Sequence, residues 1–309
     1  MKRFLAACIA SLLLTPSAQA QNKTFQIMDN QGFEAPMVAF TITVPQNWQV
    51  SGEVVWRKPC SANDLYELIL TARGPDGRTG VRIMPGHKIV WNDVVMGGMD
   101  PQLEHMMLAQ QEAERNRMRT QFQGSNCHVT QISSAEQIFN ALVLSKRPQD
   151  TKVIKRTKNE AQRQNFAQMF GPSQPGMQVF FDAEQIEMTY ALGGRPIVER
   201  LAFSWYMFQS EFRDPGMHSL NQYTTVESFQ FDWIAPERRA ADEAVIKQIS
   251  ASFKSDPAWE QRILEVQRKM AEQRRQQNAD NAQQRERNRL ERDALNDKNH
   301  RRFLQYIQQ

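Results

Sequence analysis

The sequence predicts an α+β fold: a mostly antiparallel sheet flanked by helices, with a helical insertion and a long C-terminal helix. Aromatic and aliphatic side chains alternate within residues 200–208 and again within 224–234, and alternation at period two is typical of strands. Apolar residues repeat at three and four within 241–253, which predicts a helix lying on the sheet. Pro236 fits the first position of that helix.

The centre of the predicted sheet is a hairpin. Gln185–Leu192 and Ile197–Phe208 flank a Gly-Gly-Arg-Pro turn signal at 193–196, so we expect the two strands to pair. In Thr224–Ile234 the apolar alternation is broken once, which predicts a bulge near Ser228.

Strands are also predicted earlier in the chain. Val38–Val44 alternates cleanly, and Glu53–Arg57 is expected to follow it as a second strand. Leu65–Ala72 and Thr79–Met84 flank an Arg-Gly-Pro-Asp-Gly turn, which indicates a hairpin. Trp91–Met99 contains two adjacent glycines and is predicted to be a loop.

The helical insertion is expected at about residues 100–175. Asp100 caps its first helix, which runs to about Phe122. The second half of that helix is polar all round, so only the end that carries Leu103, Met106 and Met107 is expected to pack. Two capping boxes, Ser133–Glu136 and Thr157–Glu160, predict further helices over 134–144 and 158–170.

The N-terminus has the three parts of a secretory signal peptide. Two basic residues follow Met1, Phe4–Leu14 is almost wholly apolar, and Ala18-Gln19-Ala20 is an Ala-x-Ala cleavage site. A membrane anchor is the less favoured alternative, because about 20 apolar residues are needed to span a bilayer. We therefore expect residues 1–20 to be removed, and the mature chain to be periplasmic or secreted, without a transmembrane span.

The mature chain keeps two cysteines, Cys60 and Cys127. In an oxidising compartment an even pair predicts a disulfide, with two buried thiols as the alternative. No Cys-x-x-Cys or histidine spacing supports a metal site, so no metal and no cofactor are predicted.

Charge separates the C-terminal segment from the rest of the chain. Residues 257–309 hold 12 Lys and Arg against 8 Asp and Glu, whereas residues 21–256 hold 24 against 26. We expect 21–256 to form the α+β domain and 257–309 a charged helical arm. The middle of the arm, Ala271–Arg289, has no large apolar residue, so it is either a solvated helix or disordered. The arm ends in four apolar residues that we expect to contact a protein partner or another copy: Phe303, Leu304, Tyr306 and Ile307.

A basic block at 146–163, with a net charge of +5, is the second candidate site. It could bind an anionic partner, and a solvated charged face is the plainer alternative. Nucleic acid is not expected, because the compartment is extracytoplasmic and the block lacks aromatic stacking residues. The residues assigned to this patch are Lys146, Arg147, Lys152, Lys155, Arg156 and Lys158.

The order of the predicted elements resembles the PsbP/Mog1-like fold family over most of residues 25–253. The resemblance rests on the strand and turn at Phe40–Trp48, the hairpin around Gly74–Gly80, the meander Glu184–Trp233 and the helix Val245–Phe253. Members of this family are generally non-enzymatic binding or assembly factors. The resemblance therefore implies an accessory role, and it identifies no functional residue by position.

The function we expect is that of an exported, non-catalytic interaction or assembly module of the bacterial cell envelope. No phosphate-binding glycine loop, His-Glu-x-x-His motif or nucleophile elbow occurs in the sequence, so no catalytic residue is assigned. Two alternatives stay open. One is an enzyme whose site is assembled from distant residues, such as Asp182 or Glu184 with others, and the other is a periplasmic protein that binds a small ligand.

We predict that Cys60 and Cys127 are disulfide-bonded in the exported protein, because Cys8 would leave with the signal peptide. Peptide mapping without reductant should show one cross-linked peptide pair that disappears on reduction. Cys127→Ser should lower the free energy of unfolding by roughly 4 kcal/mol in the chain-entropy model. Alkylation of both cysteines in the denatured, unreduced protein would contradict the bridge.

Overall fold

The computed structural model describes the backbone of residues 21–56, 65–98, 100–173 and 176–307, and side chains as far as Lys298. The chain divides between Lys254 and Ser255 into two compact units, which are described separately.

The first unit contains strands and four helices over the described residues. Its strands are β1 (Asn22–Asp29), β2 (Met37–Pro45), β3 (Gln49–Trp56), β4 (Tyr66–Arg73), β5 (Gly80–Met84), β6 (His87–Met96), β7 (Cys127–Val129), β8 (Lys152–Lys158), β9 (Met177–Leu192), β10 (Arg195–Asp214), β11 (Met217–Val226) and β12 (Phe229–Ile234). Its helices are α1 (Pro101–Gln121), α2 (Ala135–Leu142), α3 (Glu160–Phe170) and α4 (Arg239–Ser252). The two-residue strand β13 (Lys254–Ser255) precedes α5 (Pro257–Ile307), the helix of the second unit.

β10 is the strand on which the larger sheet is built. Along one edge, residues 195–210 pair antiparallel with β9. Along the other edge, Val198–Ala202 pair with β12 and Trp205–Asp214 pair with β11. The sheet therefore continues beyond β10 in two arms, β12-β5-β4-β3 and β11-β6-β7, while β8 extends β9. The smaller sheet has the order β1-β2-β13.

The predicted hairpin between β9 and β10 is confirmed. Gly193 and Gly194 join the strands with φ of 59° and 76°, as a two-residue turn of type I′ requires and glycine permits. The predicted single strand Thr224–Ile234 is instead divided between β11 and β12. The backbone N–H of Glu227, at the break, donates to the carbonyl oxygen of Ser204 at 2.9 Å. The expected bulge is a complete break because β11 and β12 pair with different halves of β10.

Successive side chains of a strand point to opposite faces of the sheet, and one face of β10 forms the main core with α2. Leu201, Phe203 and Trp205 lie on this α2 face and pack in one cluster with Ile138 and Phe139 of α2, whose exposed fractions are 0%. Burying a large apolar side chain stabilises the fold by roughly 1.5–3 kcal/mol. This cluster therefore holds the sheet and α2 together.

Two helices cover the opposite side of β10, the α3–α4 face. α3 covers one end, where the rings of Phe170 and Tyr206 are 4.9 Å apart between centroids. α4 covers the other end, where Arg200 Nη1 lies 3.2 Å from Glu243 Oε1. Ala202 lies between these two contacts along β10, in the middle of the face, where the side chain is small and the two helix contacts do not reach.

The α+β class is confirmed, but two expectations about the sheet are corrected. Trp91–Met99 was predicted as a loop, whereas His87–Met96 forms β6 and pairs with β11 along its whole length. The long-range pairing outweighs the local signal of the two glycines that follow. The sheet is also mixed rather than mostly antiparallel as expected, because β6 and β7 run parallel.

The segment at about 100–175, predicted to be a helical insertion, combines helices with strands. It contains α1, α2 and α3, but it also contains β7 and β8, which pair with β6 and β9. The segment is therefore part of the larger sheet. Its assignment as an insertion stays a prediction.

β8 is an edge strand. Over the part of the chain that the structure describes, it pairs with β9 alone, and the register shifts between Val153 and Lys155. Val153 and Ile154 are 39% and 54% exposed.

α1 packs through polar side chains, which the sequence analysis did not expect. Leu103 and Met106 are 49% and 65% exposed, whereas Arg115 is only 8% exposed. The Arg115 guanidinium lies 4.5 Å from the Trp91 ring centroid and donates to the carbonyl oxygen of Asn92 at 3.1 Å. The helix therefore contacts β6 through a cation–π contact and a backbone hydrogen bond, so its polar half is the packed half.

The helix starts are close to their predicted positions. α2 is capped by Ser134, one residue after the predicted Ser133, and Ser134 Oγ accepts from the backbone N–H of Gln137 at 3.3 Å. α3 is capped by Asn159 instead of Thr157, and Asn159 Oδ1 accepts from the N–H of Gln162 at 3.2 Å. Thr157 is unavailable as a cap because β8 continues through it.

The predicted disulfide is not tested by the structure. Cys127 begins β7 and is buried, with 6% exposure, but Cys60 lies outside the described residues. The Cys60–Cys127 bridge stays a prediction.

A histidine pair lies where β6 and β7 begin. His87 Nδ1 and His128 Nε2 are 2.8 Å apart, and His87 is 8% exposed. Burial lowers the pKa of His87 to about 3, and the nearby charges of His128 and Lys146 add to the shift. Burial also lowers the pKa of His128. Both rings are therefore neutral in the folded protein near pH 7.

The second unit is the single helix α5. Asp256 caps it as predicted, with its Oδ1 accepting from the N–H of Ala258 at 2.9 Å. At 1.5 Å per residue it is about 77 Å long. Every side chain in 271–298 is exposed, so of the two states left open for Ala271–Arg289 the helix is the one present. None of the helices in the described ranges carries an apolar stretch long enough to cross a membrane.

We predict that protein stability falls on mild acidification because of His87. Its folded pKa is depressed, so the folded state binds fewer protons than the unfolded chain between about pH 6.5 and about pH 3. The stabilisation is full above about pH 6.5 and falls by roughly 1.4 kcal/mol per pH unit below it. Urea unfolding of the wild type and His87→Gln, between about pH 7 and about pH 5.5, measures this slope.

His87→Gln should flatten the slope, because the substituted side chain does not titrate. His105→Gln is the matched control, since His105 is exposed on α1, and it should leave the slope unchanged. Equal slopes for wild type and His87→Gln would rule out the histidine pair as the cause.

Candidate functional site

The residues of the predicted basic patch do not form one free surface. Lys146, Lys152 and Lys155 are exposed. Arg147, Arg156 and Lys158 instead contact carboxylates of β9 and β10. Half of the assigned cations therefore take part in internal ion pairs, and anion binding by this patch stays a prediction.

Arg147 makes the most buried of these pairs. Its Nε and Nη2 donate to the two carboxylate oxygens of Glu199 at 2.7 and 3.0 Å, and the two side chains are 17% and 6% exposed. The guanidinium also lies 5.0 Å from the Phe231 ring centroid. Burial together with Glu199 raises the pKa of the neighbouring Tyr190 to about 12. Arg147 therefore neutralises a carboxylate that the fold has removed from water.

A second cluster joins β8 to β9. The Lys158 ammonium donates to the carboxylates of Asp182 and Glu184. Burial alone would lower the pKa of Lys158, but these hydrogen bonds outweigh it and raise the pKa. Arg156 Nη1 lies 3.7 Å from Glu184, and its guanidinium lies 4.8 Å from the Phe139 ring centroid. The two carboxylates considered for an enzyme site are thus held in ion pairs.

The described residues also form a cleft on the α3–α4 face, which the sequence analysis did not predict. It has a volume of about 590 Å³, within the range of roughly 300–1,000 Å³ typical of small-molecule sites. Its floor is the middle of β10 and β12 around Ala202 and Gln230, and α4 and β2 form one side. Its apolar lining includes Ile42, Leu70, Ile83, Ile246, Ile249 and Phe253.

The acidic groups of the cleft are neutralised by arginines. Arg200 Nε lies 2.6 Å from Asp232 Oδ1, and Arg239 donates to both oxygens of Glu187 at 3.2 and 3.0 Å. Burial raises the pKa of Asp232, while the hydrogen bond from Arg239 lowers the pKa of Glu243. These contacts connect α4 to the sheet and leave the carboxylates engaged.

Two lysines of the cleft have no such partner. Lys155 on β8 and Lys247 on α4 both line the cleft and are exposed. Neither ammonium forms an ion pair or a hydrogen bond with any residue that the structure describes. The cleft therefore combines apolar walls with two available cations.

A smaller cavity of about 170 Å³ adjoins the cleft and shares Ala202 and Gln230 with it. It lies toward α3 and is lined by polar groups that include Asn159, Ser204 and Glu227. Ser204 Oγ donates to the Glu227 carboxylate. This end of the surface is polar and carries a negative charge, in contrast to the end that carries the lysines.

No sequence motif marks the cleft, because its lining comes from seven strands and one helix. One signal was available: on the α3–α4 face of β9 and β10 the side chains of Ala183, Ala202 and Ser204 are small. Ala202 lines the cleft, and all three line the smaller cavity beside it. Small residues at alternate positions of central strands leave space above the sheet. The sequence analysis considered only the large residues of the opposite face.

The arrangement can bind a ligand, and its polar groups are disposed for recognition. No cluster of three or more metal-ligating side chains occurs in the part of the chain described. The predicted partner-contact residues Phe303, Leu304, Tyr306 and Ile307 lie in the last turns of α5.

Comparisons with known proteins give a result about the fold only. No protein-family model matches the chain, and no curated protein matches it in sequence. The solution structure of PsbP from Synechocystis sp. PCC 6803 is similar at a TM-score of 0.25 and 9% identity, covering 82% of this chain and 99% of that chain. LpqN, involved in cell envelope biogenesis of Mycobacterium tuberculosis, is similar at a TM-score of 0.20 and 10% identity, covering 77% and 92%.

The resemblance to PsbP expected from the sequence is thus found, as a weak resemblance of fold. At these TM-scores neither likeness bears on function, which has to be argued from the residues themselves.

We predict that Arg147 is required for stability. Arg147→Met should lower the free energy of unfolding by about 3–5 kcal/mol, because Glu199 would stay buried without its cation. Lys152→Met, in the same basic block but exposed, is the matched control and should change stability by less than about 0.5 kcal/mol. Urea unfolding followed by tryptophan fluorescence measures both.

Replacing both partners, in Arg147→Met/Glu199→Gln, should recover part of the loss, because no unpaired charge is then buried. If Arg147→Met were as stable as Lys152→Met, Arg147 would be available to an external partner.

Proposed function

We propose that this chain is an exported, non-catalytic interaction or assembly module of the bacterial cell envelope, and that it contacts a protein partner through α5. The observation that carries the proposal is the exposure of α5. All 28 side chains in 271–298 are exposed, so this length of helix contributes no apolar burial to either unit.

A helical segment whose side chains are all exposed, such as residues 271–298 of α5, is stabilised only by local interactions. α5 has several of these, including the Arg289–Glu286 pair at 2.7 Å and the hydrogen bond from Gln276 to Asp280 at 2.9 Å. Such contacts are worth roughly 0.2–0.5 kcal/mol each. They keep the segment helical but give it no role in folding, so its length and its apolar end are best explained by contact with another molecule.

The ion pairs of the first unit support a binding role over a catalytic one. Asp182, Glu184, Glu187 and Asp232 are each held by a lysine or arginine. A general acid or base has to be able to exchange a proton with its substrate. Carboxylates engaged in this way are typical of structural pairs.

The export of the chain is part of the proposal. Its support is the signal-peptide pattern of residues 1–20 and the pair of cysteines in the mature chain. We propose cleavage after Ala20 and a periplasmic or secreted location.

We predict that partner binding depends on the apolar end of α5. Phe303→Ser/Ile307→Ser should abolish a cross-linked complex formed in intact cells, because it removes the apolar contact without changing charge. Leu290→Ser/Leu295→Ser is the matched control, since both leucines are 56% exposed on the same helix, and the complex should persist. Quantitative cross-linking of the envelope fraction measures both variants.

Deletion of 271–309 tests the same idea from the side of folding. The remaining chain should keep its thermal midpoint and lose the complex, because the deleted helix is exposed as far as its side chains are described. A truncated chain that unfolds would contradict the arm, as would a complex that survives both the deletion and the serine variant.

A further inference from the structure

We propose that the cleft beside α4 binds a single long-chain carboxylate, a fatty acid, with its acyl chain against the apolar wall and its carboxylate at Lys155 and Lys247. This ligand site goes beyond the proposed function, which rests on α5 and not on the cleft.

The wall is apolar and already formed. Ile83, Ala202 and Phe253 are part-exposed, and they are the apolar surface that an acyl chain would cover. The other apolar lining residues, Ile42, Leu70, Ile246 and Ile249, are buried, with exposed fractions between 1% and 3%, and add almost no surface of their own. The floor at Ala202 carries only a methyl group. An acyl chain would therefore cover apolar surface without reorganising the fold, which keeps the cost of binding low.

The backbone N–H and C=O groups in the floor of the cleft are already paired within the sheet. At Ala202, β10 pairs with Gln185 of β9 on one side and with Gln230 of β12 on the other. A peptide that binds as an added strand needs an open sheet edge, and here it would meet a sheet face. The ligand must therefore be recognised by side chains alone, which favours a flexible apolar chain over a polypeptide.

The charge left over is positive. Arg200 and Arg239 are shared among three carboxylates, Glu187, Asp232 and Glu243, and Lys247 also helps to lower the pKa of Glu243. With Lys155, this group of side chains still has one net positive charge. Two ammonium groups beside an apolar wall complement a ligand with one anionic end. A neutral apolar ligand would have no charge to interact with the two ammonium groups.

The orientation follows from the smaller cavity. Its lining includes Glu227, whose carboxylate accepts a hydrogen bond from Ser204 and has no cation partner among the ion pairs of the described residues, so a ligand carboxylate placed there would meet like charge. The head group therefore lies at the lysine end, and the chain extends along the wall of β2 and α4.

The test uses the mature full-length chain, freed of bound lipid, with hexadecanoate as the ligand and isothermal titration as the measurement. Each methylene buried should raise affinity about fourfold, so octanoate should bind far more weakly. Lys155→Glu/Lys247→Glu should weaken hexadecanoate binding by about tenfold or more. Hexadecan-1-ol, which has the same chain without the charge, should bind wild type and this variant equally.

Lys146→Glu/Lys152→Glu is the matched control, because it makes the same change of charge on exposed lysines outside the cleft. It should change hexadecanoate affinity by less than about twofold. Ala202→Trp fills the floor and should abolish binding, and its thermal midpoint shows whether it folds. If Ala202→Trp does not fold, the Lys155→Glu/Lys247→Glu variant still tests the site.

Three results would overturn the site: no saturable binding of hexadecanoate, equal weakening by the two charge-reversal pairs, or binding of an acidic peptide in place of hexadecanoate. The Phe303→Ser/Ile307→Ser chain should bind hexadecanoate like wild type. Failure of the ligand site and failure of the α5 proposal are therefore separate outcomes.

Discussion

The structure of the first unit depends on the unequal pairing of β10. One edge of this strand pairs with β9 alone, whereas the other is shared by β12 and β11. The change of partner occurs at Ser204, whose carbonyl oxygen accepts from the N–H of Glu227. The two arms of the sheet diverge at this point, so the α3–α4 face is too broad for one helix to cover. α3 covers the end beside β11 and α4 covers the end beside β12. The cleft lies beside α4, and the smaller cavity lies beside α3.

Charge pairing is the second constraint, and it changes the meaning of the basic block. A strand such as β10 that carries Glu199 and Arg200 at adjacent positions sends one charge to each face. Arg147 neutralises Glu199 on the α2 face, and Asp232 and Glu243 neutralise Arg200 on the other. Breaking such a pair costs more than forming it gains, because the remaining charge stays buried. Some cations that the sequence suggests are free to bind a partner therefore form ion pairs that hold strands and helices together.

The sequence predicted those parts of the fold in which local and long-range preferences agree. The β9–β10 hairpin, the capped starts of α1 and α2, and α4 all have a local signal, either a turn, a cap or an apolar period. β6 was missed because the glycines after it resemble a loop, and only pairing with β11 makes it a strand. The packing of α1 was missed because a helix's packed face is identified from its apolar residues. The buried residue of α1 is instead Arg115, which packs through its guanidinium group.

The candidate site was less predictable than the fold. The exposed helix α5 could be inferred from composition, since a segment without large apolar residues has nothing to bury. The cleft could not, because it results from small side chains on β9 and β10 and from where α3 and α4 stop. The sequence also does not show which lysines form ion pairs. Lys155 and Lys158 lie on the same strand, β8, and only the residues around each of them in the fold make them different.

The exposed edge at β8 has a consequence for the behaviour of the protein at high concentration. An unpaired strand edge is a template for another chain, and lysines and register shifts are common means of blocking it. β8 has both, with lysines at positions 152, 155 and 158 around the exposed Val153 and Ile154. Chemical modification that removes these positive charges would thus turn a protected edge into a nucleus for intermolecular sheet growth, even though the buried core would stay intact.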